Sequence, residues 1–313
     1  MTIDAPTLLH AAALAAGGQQ YPAGALYVVA TPIGNLADLT LRAIHVLATV
    51  DHVACEDTRT GGALLRHLGL HKPLLAVHEH NESAAAERVC ALLAQGQRVA
   101  FVSDAGTPAV SDPGAALVAA VSAAGCRVVP IPGASSAVAA LSVAGDATPG
   151  GFRFAGFLPA RGAQRDQALK AVLADTACVV LFEAPHRIEA LARDLALHAP
   201  QRRLTVCREL TKQFESVHTL AAESWPAWLA ADAHRSRGEF AIVLHAPPRE
   251  GKAAGDAAAG AGRGEALDPR ALHALEALCA ALPLKQAVAL AAEVTGAPRN
   301  ALYAAALALR EPD

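Results

Sequence analysis

The stretch RVAFVSDAGTPAVSDPG, Arg98 to Gly114, decides how this chain folds. Val99 to Val102 is a short apolar run of the kind that makes a buried strand. It stops at Ser103-Asp104, and Gly and Pro then crowd into a loop that carries Asp104 and Asp112. A buried strand, a glycine-rich polar loop and an apolar helix together form the repeating unit of a parallel α/β sheet. The loop falls on the sheet edge where such folds bind ligands.

The same unit recurs on either side. Leu26 to Ala30, His52 to Cys55 and Arg127 to Ile131 read as further strands, alternating with helices near 40–49, 83–95, 113–124 and 135–144. Asp112 before Pro113 reads as an N-cap with a first-turn proline, Gly125 as the end of that helix, and Ser83 as the cap of another. A turn-rich break from Gly145 to Gly151 ends a first α/β domain, 25–147. Arg153 to Phe157, Cys178 to Phe182, Leu204 to Cys207 and Phe240 to His245 predict a second α/β domain, 148–246. Residues 247–268, rich in Gly, Ala and Pro with scattered charges, predict a flexible linker, and 269–313 a small helical domain. Its two apolar-periodic helices break at Thr295-Gly296-Ala297, as a helix-turn-helix would. Residues 1–24 are expected to form a frayed N-terminal tail. No Lys or Arg precedes the apolar run there, as a signal peptide would require.

Composition narrows the function classes. Hydrophobic residues make up 53% and charged ones 18%, which describes a globular chain. A net charge of -3 supplies no global basic field, so a nucleic-acid partner must be held locally. Arg153, Arg161, Arg165 and Lys170 against Asp166 are the candidate patch. The six cysteines stand singly with no C-x-x-C, which predicts buried thiols in a reducing compartment and neither zinc nor disulfides. No apolar run approaches the roughly 20 residues of a membrane span, so a cytoplasmic protein is expected.

Three loops carry the candidate chemistry: TPIGN (Thr31 to Asn35), SDAGTP (Ser103 to Pro108) and PGASSA (Pro132 to Ala137), each following a strand. Glycine lets backbone approach a ligand, and N–H groups with Ser and Thr hydroxyls then serve a carboxylate, ribose or base edge. Neither a Rossmann dinucleotide motif nor a P-loop is present. Charges bunch at other strand ends, in CEDTR (Cys55 to Arg59) and CRELTKQFE (Cys207 to Glu215), while His186 in FEAPHR reads as structural.

Taken in order, LYVVATPIGNLADLTLRA, CEDTR, FVSDAGTPAVSDPG, VVPIPGASSAVAALSVAG, GFLPA, FEAPHR, RELTKQFE and RGEFAIVL resemble the ribosomal RNA small subunit methyltransferase I family, of the tetrapyrrole-methylase-like superfamily. LPLKQAVALAAEVTGAPRNALY resembles that family's appended helix-turn-helix. The resemblance implies two α/β domains of tetrapyrrole methylase type with a cofactor cleft between them, plus the small helical domain. It implies a homodimer that uses S-adenosyl-L-methionine to methylate the ribose 2'-hydroxyl of a cytidine in the decoding region of 16S ribosomal RNA. By motif match, cofactor contacts fall on Thr31, Pro32, Gly34, Asn35, Asp104, Gly106, Thr107, Ser111, Asp112, Ser135, Ser136, Phe182 and Ala241, with no metal. Charge clustering beside that edge makes Glu56, Asp57, Arg59, Glu209 and Lys212 the candidate catalytic residues at an RNA-facing mouth. A tetrapyrrole or other methylase on the same scaffold, or a ligand-sensing regulator that reads DNA with its C-terminal helices, are the alternatives. Arg299, Asn300, Tyr303 and Arg310 are few readers for the second of these.

Overall fold

The computed structural model describes residues 4–78, 81–111, 113–147, 151–247 and 269–308. The chain divides into two compact units, Met1–Pro247 and Pro248–Asp313. The first unit contains two five-stranded sheets.

The first sheet is built from β1 (Ala25–Val29), β2 (His52–Cys55), β3 (Leu74–Ala76), β4 (Val99–Val102) and β5 (Arg127–Ile131). Its order is β3-β2-β4-β1-β5 and every pairing is parallel. Helices α1 (Ala5–Ala16), α2 (Leu41–Thr49) and α3 (Thr58–His67) pack on one face, α4 (Glu82–Ala94) and α5 (Ala115–Ala123) on the other. A parallel sheet covered on both faces needs strands apolar throughout, and β4 is buried at all four positions. Alternate residues of β1 divide between the two cores, Tyr27 and Val29 facing one and Leu26 the other.

Three expectations are corrected. The N-terminal segment is not a frayed tail: α1 runs Ala5–Ala16 with Asp4 as its N-cap, and Ala12 and Ala16 are buried beside α2. Small alanines allow that close approach without the contrast between faces that marks an amphipathic helix. Ser83 does not cap α4, since Asn81 occupies the N-cap position and Ser83 lies in the first turn. Asp112 lies outside the described residues, and α5 begins after Gly114. Its cap comes from another helix: Glu82 Oε1 accepts the N–H groups of Gly114, Ala116 and Leu117 at 2.9, 3.0 and 3.1 Å. A carboxylate at a helix N-terminus satisfies orphan donors and complements the helix dipole together.

Helix α6 (Ser136–Ala144) leads to the second sheet, made of β6 (Phe152–Phe157), β7 (Cys178–Glu183), β8 (Arg203–Arg208), β9 (Ser216–Ala221) and β10 (Phe240–Leu244). Its order is β6-β7-β10-β8-β9, and only β6 and β7 run parallel. Helices α7 (Ala163–Leu173), α8 (Ile188–His198) and α9 (Trp225–Ala230) close one face around the fully buried Trp225. Alanines 137, 140 and 144 of α6 lie on the other face, against Val180, Ala241 and Val243. Thus α6, which starts at a loop of the first sheet, is packed on the second.

The second unit holds α10 (Pro269–Ala281), α11 (Leu284–Thr295) and α12 (Arg299–Ala308) around Leu275, Val288 and Leu302. The break expected at Thr295-Gly296-Ala297 separates α11 from α12. Apart from Pro247, the expected linker lies outside the described residues, as does Arg310. Among the described residues no helix is long and apolar enough to cross a membrane.

Candidate functional site

The loops that leave β1, β4 and β5 share the carboxyl edge of the first sheet, and hydrogen bonds lock them together. Thr31 N donates to Gly106 O at 2.8 Å and Gly106 N to Thr31 O at 3.1 Å, a two-way bridge between the first two loops. The buried Thr31 hydroxyl donates to Ser103 O at 3.2 Å, and Thr107 Oγ1 donates to Ala134 O at 3.0 Å, which ties in the third loop. Ala109 and Ser111 hold positive φ values of 63° and 73°. Non-glycine residues in that region are strained, and such strain collects at functional sites.

A cleft of about 360 Å³ opens between these loops and the second sheet. The first sheet supplies Gly106, Thr107, Ser111, Ser135 and Ser136, and the second supplies Phe182, Glu183, Cys207, Phe240 and Ala241. Phe182 meets Phe157 edge-on, with ring centroids 5.6 Å apart. Ser135 is the N-cap of α6 but makes no side-chain cap bond, so the first turn of that helix reaches the cleft with donors uncapped by that side chain. Glu183 is a buried carboxylate held by Arg187 at 2.9 Å and Arg165 at 3.5 Å. The Cys207 thiol is pushed up to about 12, chiefly by burial and secondarily by the charge of Glu215. It is therefore a neutral wall and not a nucleophile.

A second cleft, of about 390 Å³, adjoins the first and is lined by Pro32, Gly34, Thr60, His67, Asp104 and Lys212 among others. Lys212 Nζ sits between Glu209 Oε1 at 2.9 Å and Glu239 Oε2 at 2.8 Å. Two glycines make room for this cluster. A Cβ on Gly34 would lie 2.4 Å from Lys212 Cγ, and one on Gly238, whose φ is 90°, would lie 2.5 Å from Glu209 Cγ. Burial opposes the charge of Lys212, but its ion pairs with Glu239 and Glu209 prevail and raise it above the ordinary lysine value.

The sequence profile described as Tetrapyrrole (Corrin/Porphyrin) Methylases matches residues 25–224, and the profile described as RsmI C-terminal HTH domain matches 265–310. "Ribosomal RNA small subunit methyltransferase I" of Escherichia coli O157:H7 is 44% identical over 285 residues, covering 91% of this chain and 95% of that protein. The chain belongs to the ribosomal RNA small subunit methyltransferase I family. A relative of the same name from Pseudomonas aeruginosa is also 44% identical, over 91% of this chain and 97% of its own length. The crystal structure of uroporphyrin-III C-methyl transferase from Thermus thermophilus, complexed with S-adenyl homocysteine, has the same fold. It is 18% identical, covers 70% of this chain and 96% of its own, and has a TM-score of 0.50.

On this family scaffold the residues singled out from sequence fall into three groups. Gly106, Thr107, Ser111, Ser135, Ser136, Phe182 and Ala241 line the first cleft. Thr31, Pro32, Gly34, Asp104 and Lys212 line the second. Asn35 lines neither: its Oδ1 accepts Ala37 N at 3.0 Å and caps a short turn, while Asp112 lies outside the described residues. Asp57 caps α3 and pairs with Arg59 at 2.6 Å, and hydrogen bonds from Arg59 hold its carboxyl down at about 2. Asp104 Oδ1 accepts Asp57 N at 3.3 Å, so CEDTR is joined to a wall of the second cleft. Glu56 precedes this cap.

The basic patch expected on 153–170 is corrected in part. Arg165 is buried and bound to Glu183 and Asp194, whereas Arg153, Arg161 and Lys170 are exposed, Arg153 pairing with Asp175 at 3.1 Å. Sequence reasoning missed Glu183 as a cleft residue, while Glu239 lay in the motif RGEFAIVL, within the segment 238–242 that the resemblance implied for cofactor contact, without a role of its own. The available signal was a charged residue at the end of a fully apolar strand, Glu183 closing β7 and Glu239 directly before β10.

Proposed function

We propose that the first cleft binds S-adenosyl-L-methionine, which supplies an electrophilic methyl group, and that the acceptor is the ribose 2'-hydroxyl of a cytidine in the decoding region of 16S ribosomal RNA. One observation carries the cofactor assignment: the uncapped start of α6, four hydroxyl-bearing residues and aromatic walls meet in a single cleft. Each matches a part of that ligand. The start of α6 suits its carboxylate, and the hydroxyls of Thr107, Ser111, Ser135 and Ser136 suit its ribose. Phe157 and Phe182 suit its base. The cleft volume falls within the roughly 300 to 1,000 Å³ of small-molecule sites. The relatives' name, ribosomal RNA small subunit methyltransferase I, supports the acceptor.

Methyl transfer from a sulfonium asks little covalent chemistry of the protein. Its work is to align an oxygen with the methyl group, an effect worth about 7 to 11 kcal/mol in favourable cases. The interlocked loops of the first sheet suit that task. Glu56, Asp57, Arg59, Glu209 and Lys212 form the RNA-facing mouth, with the exposed Arg59, Arg161 and Lys170 available to phosphates. The lobes 25–147 and 148–246 act as the two halves of the cleft, 247–268 as linker and 269–313 as an RNA-directed appendage. The enzyme works in the cytoplasm as a homodimer.

The test is transfer of a labelled methyl group from S-adenosyl-L-methionine to small ribosomal subunits from cells lacking this enzyme, followed by nucleoside analysis. Label in 2'-O-methylcytidine is expected. Label confined to bases, or none, overturns the acceptor, and a tetrapyrrole substrate becomes the next to try.

A further inference from the structure

Ile33, Ala105 and Glu239 line both clefts, so they mark the place where the two meet. Among these three only Glu239 carries a group that can exchange a proton. Its position is fixed on two sides. Its N–H donates to Glu209 Oε1 at 2.8 Å, its C=O accepts Glu209 N at 3.0 Å, and its Oε2 accepts Lys212 Nζ at 2.8 Å. Its Oε1 makes no hydrogen bond to a described residue, and the side chain is 80% exposed. Lys212 is clamped as a cation and cannot accept a proton. Glu209, held below its ordinary value by Glu239 N–H and Lys212 against the opposing effect of burial, receives both donors on Oε1 and lines neither cleft.

The charge of the second cleft limits what can enter it. Lys212 is offset by Glu209 and Glu239, and Asp104 adds a further carboxylate to the lining. A phosphate is repelled, whereas ribose hydroxyls and an exocyclic amine are hydrogen-bond donors that meet acceptors here. Enzymes that do chemistry on a base extrude its nucleotide from the stack into a pocket, and a nucleoside seated here in the same way leaves its flanking phosphates outside.

Resting on ribose methylation as the reaction, we propose that the second cleft seats the acceptor nucleoside and that Glu239, at the junction, is the catalytic residue that takes the hydroxyl proton. The O–H bond breaks and its proton passes to Glu239 Oε1. The oxygen electron pair forms the new bond to the methyl carbon, and the electron pair of the broken carbon–sulfur bond stays on sulfur, which becomes a neutral thioether. Lys212 is a positioning residue that holds the carboxylate at the junction.

The test compares wild-type enzyme, Glu239→Gln and Ala63→Trp in single-turnover methylation of small subunits, alongside equilibrium binding of S-adenosylhomocysteine. Ala63 lines the second cleft from the exposed side of α3, so tryptophan there fills the cleft and spares the core. For Glu239→Gln the expectation is ligand binding within about twofold of wild type and a rate lower by about 10² to 10⁴. For Ala63→Trp it is unchanged ligand binding with methylation abolished. A Glu239→Gln rate within about threefold of wild type, or loss of S-adenosylhomocysteine binding, overturns the role of Glu239, and normal turnover by Ala63→Trp overturns the seat. If wild-type enzyme itself places no methyl on ribose, the reaction is wrong and this assignment falls with it.

Discussion

The two sheets deliver residues to the same clefts by different physical means. On the first, the loops after β1, β4 and β5 are joined by neutral bonds, the Thr31–Gly106 bridge and the Thr107 hydroxyl on Ala134 O. On the second, the segments ending β7 and β8 and starting β10 are held by ions, Arg165 and Arg187 around Glu183 and Lys212 between Glu209 and Glu239. Neutral bonds keep a loop's shape with little dependence on pH or salt. Buried ions, such as Glu183 with its two arginines, hold position firmly but punish the loss of any one partner. The methyl donor's cleft is lined by both kinds of wall, whereas the acceptor's is lined mostly by the first, with Lys212 and Glu239 as its charged contribution from the second.

The largest effect should come from breaking an ionic wall. Glu183→Ala strands two arginines around a vacated, fully buried position, and about 3 to 5 kcal/mol of stability should be lost in urea unfolding. Next comes alkaline pH, because burial raises Cys55 and Cys178 to about 11 and Cys207 to about 12 from an ordinary 9.0. Unfolded thiols then ionise first, so stability is fully present below pH 9 and declines as pH rises from 9 toward 11. Urea midpoints at pH 7.5 and 10 should separate, and less so in Cys207→Ala. Thr31→Val probes the neutral wall: losing its bonds to Ser103 O and Gly106 O should lower stability by about 1 kcal/mol and weaken S-adenosylhomocysteine binding several-fold. The smallest effect belongs to the exposed Asp57–Arg59 pair. Asp57, with its native value near 2, stays ionised through pH 4, and Asp57→Asn should unfold at the same urea concentration as wild type at pH 7.

The parallel half was the more legible of the two. A wholly buried strand followed by a glycine-rich loop leaves a strong local signal, and β2, β4 and β5 stand where the pattern placed them. Strands β3 and β9 left little trace. One has three residues, and the other is an edge strand with its middle positions exposed. Helix α1 was read as tail because it buries alanines, which carry no sharp apolar face. The ionic clusters were visible as charged residues but not as partnerships. Arg165 looked like an RNA contact until Glu183, far along the chain, was seen to hold it, and Glu239 was legible only as part of RGEFAIVL because the carboxylate and lysine around it come from another strand end. Pairings that depend on tertiary contact are absent from local pattern.

The most direct measurement is a crystal structure of the enzyme with S-adenosylhomocysteine and cytidine soaked together. The account predicts the adenosyl ligand among Thr107, Ser135 and Phe182, and cytidine in the second cleft with its 2'-oxygen at hydrogen-bond distance from Glu239. Both ligands in one cleft, or cytidine with its ribose turned away from Glu239, would contradict it.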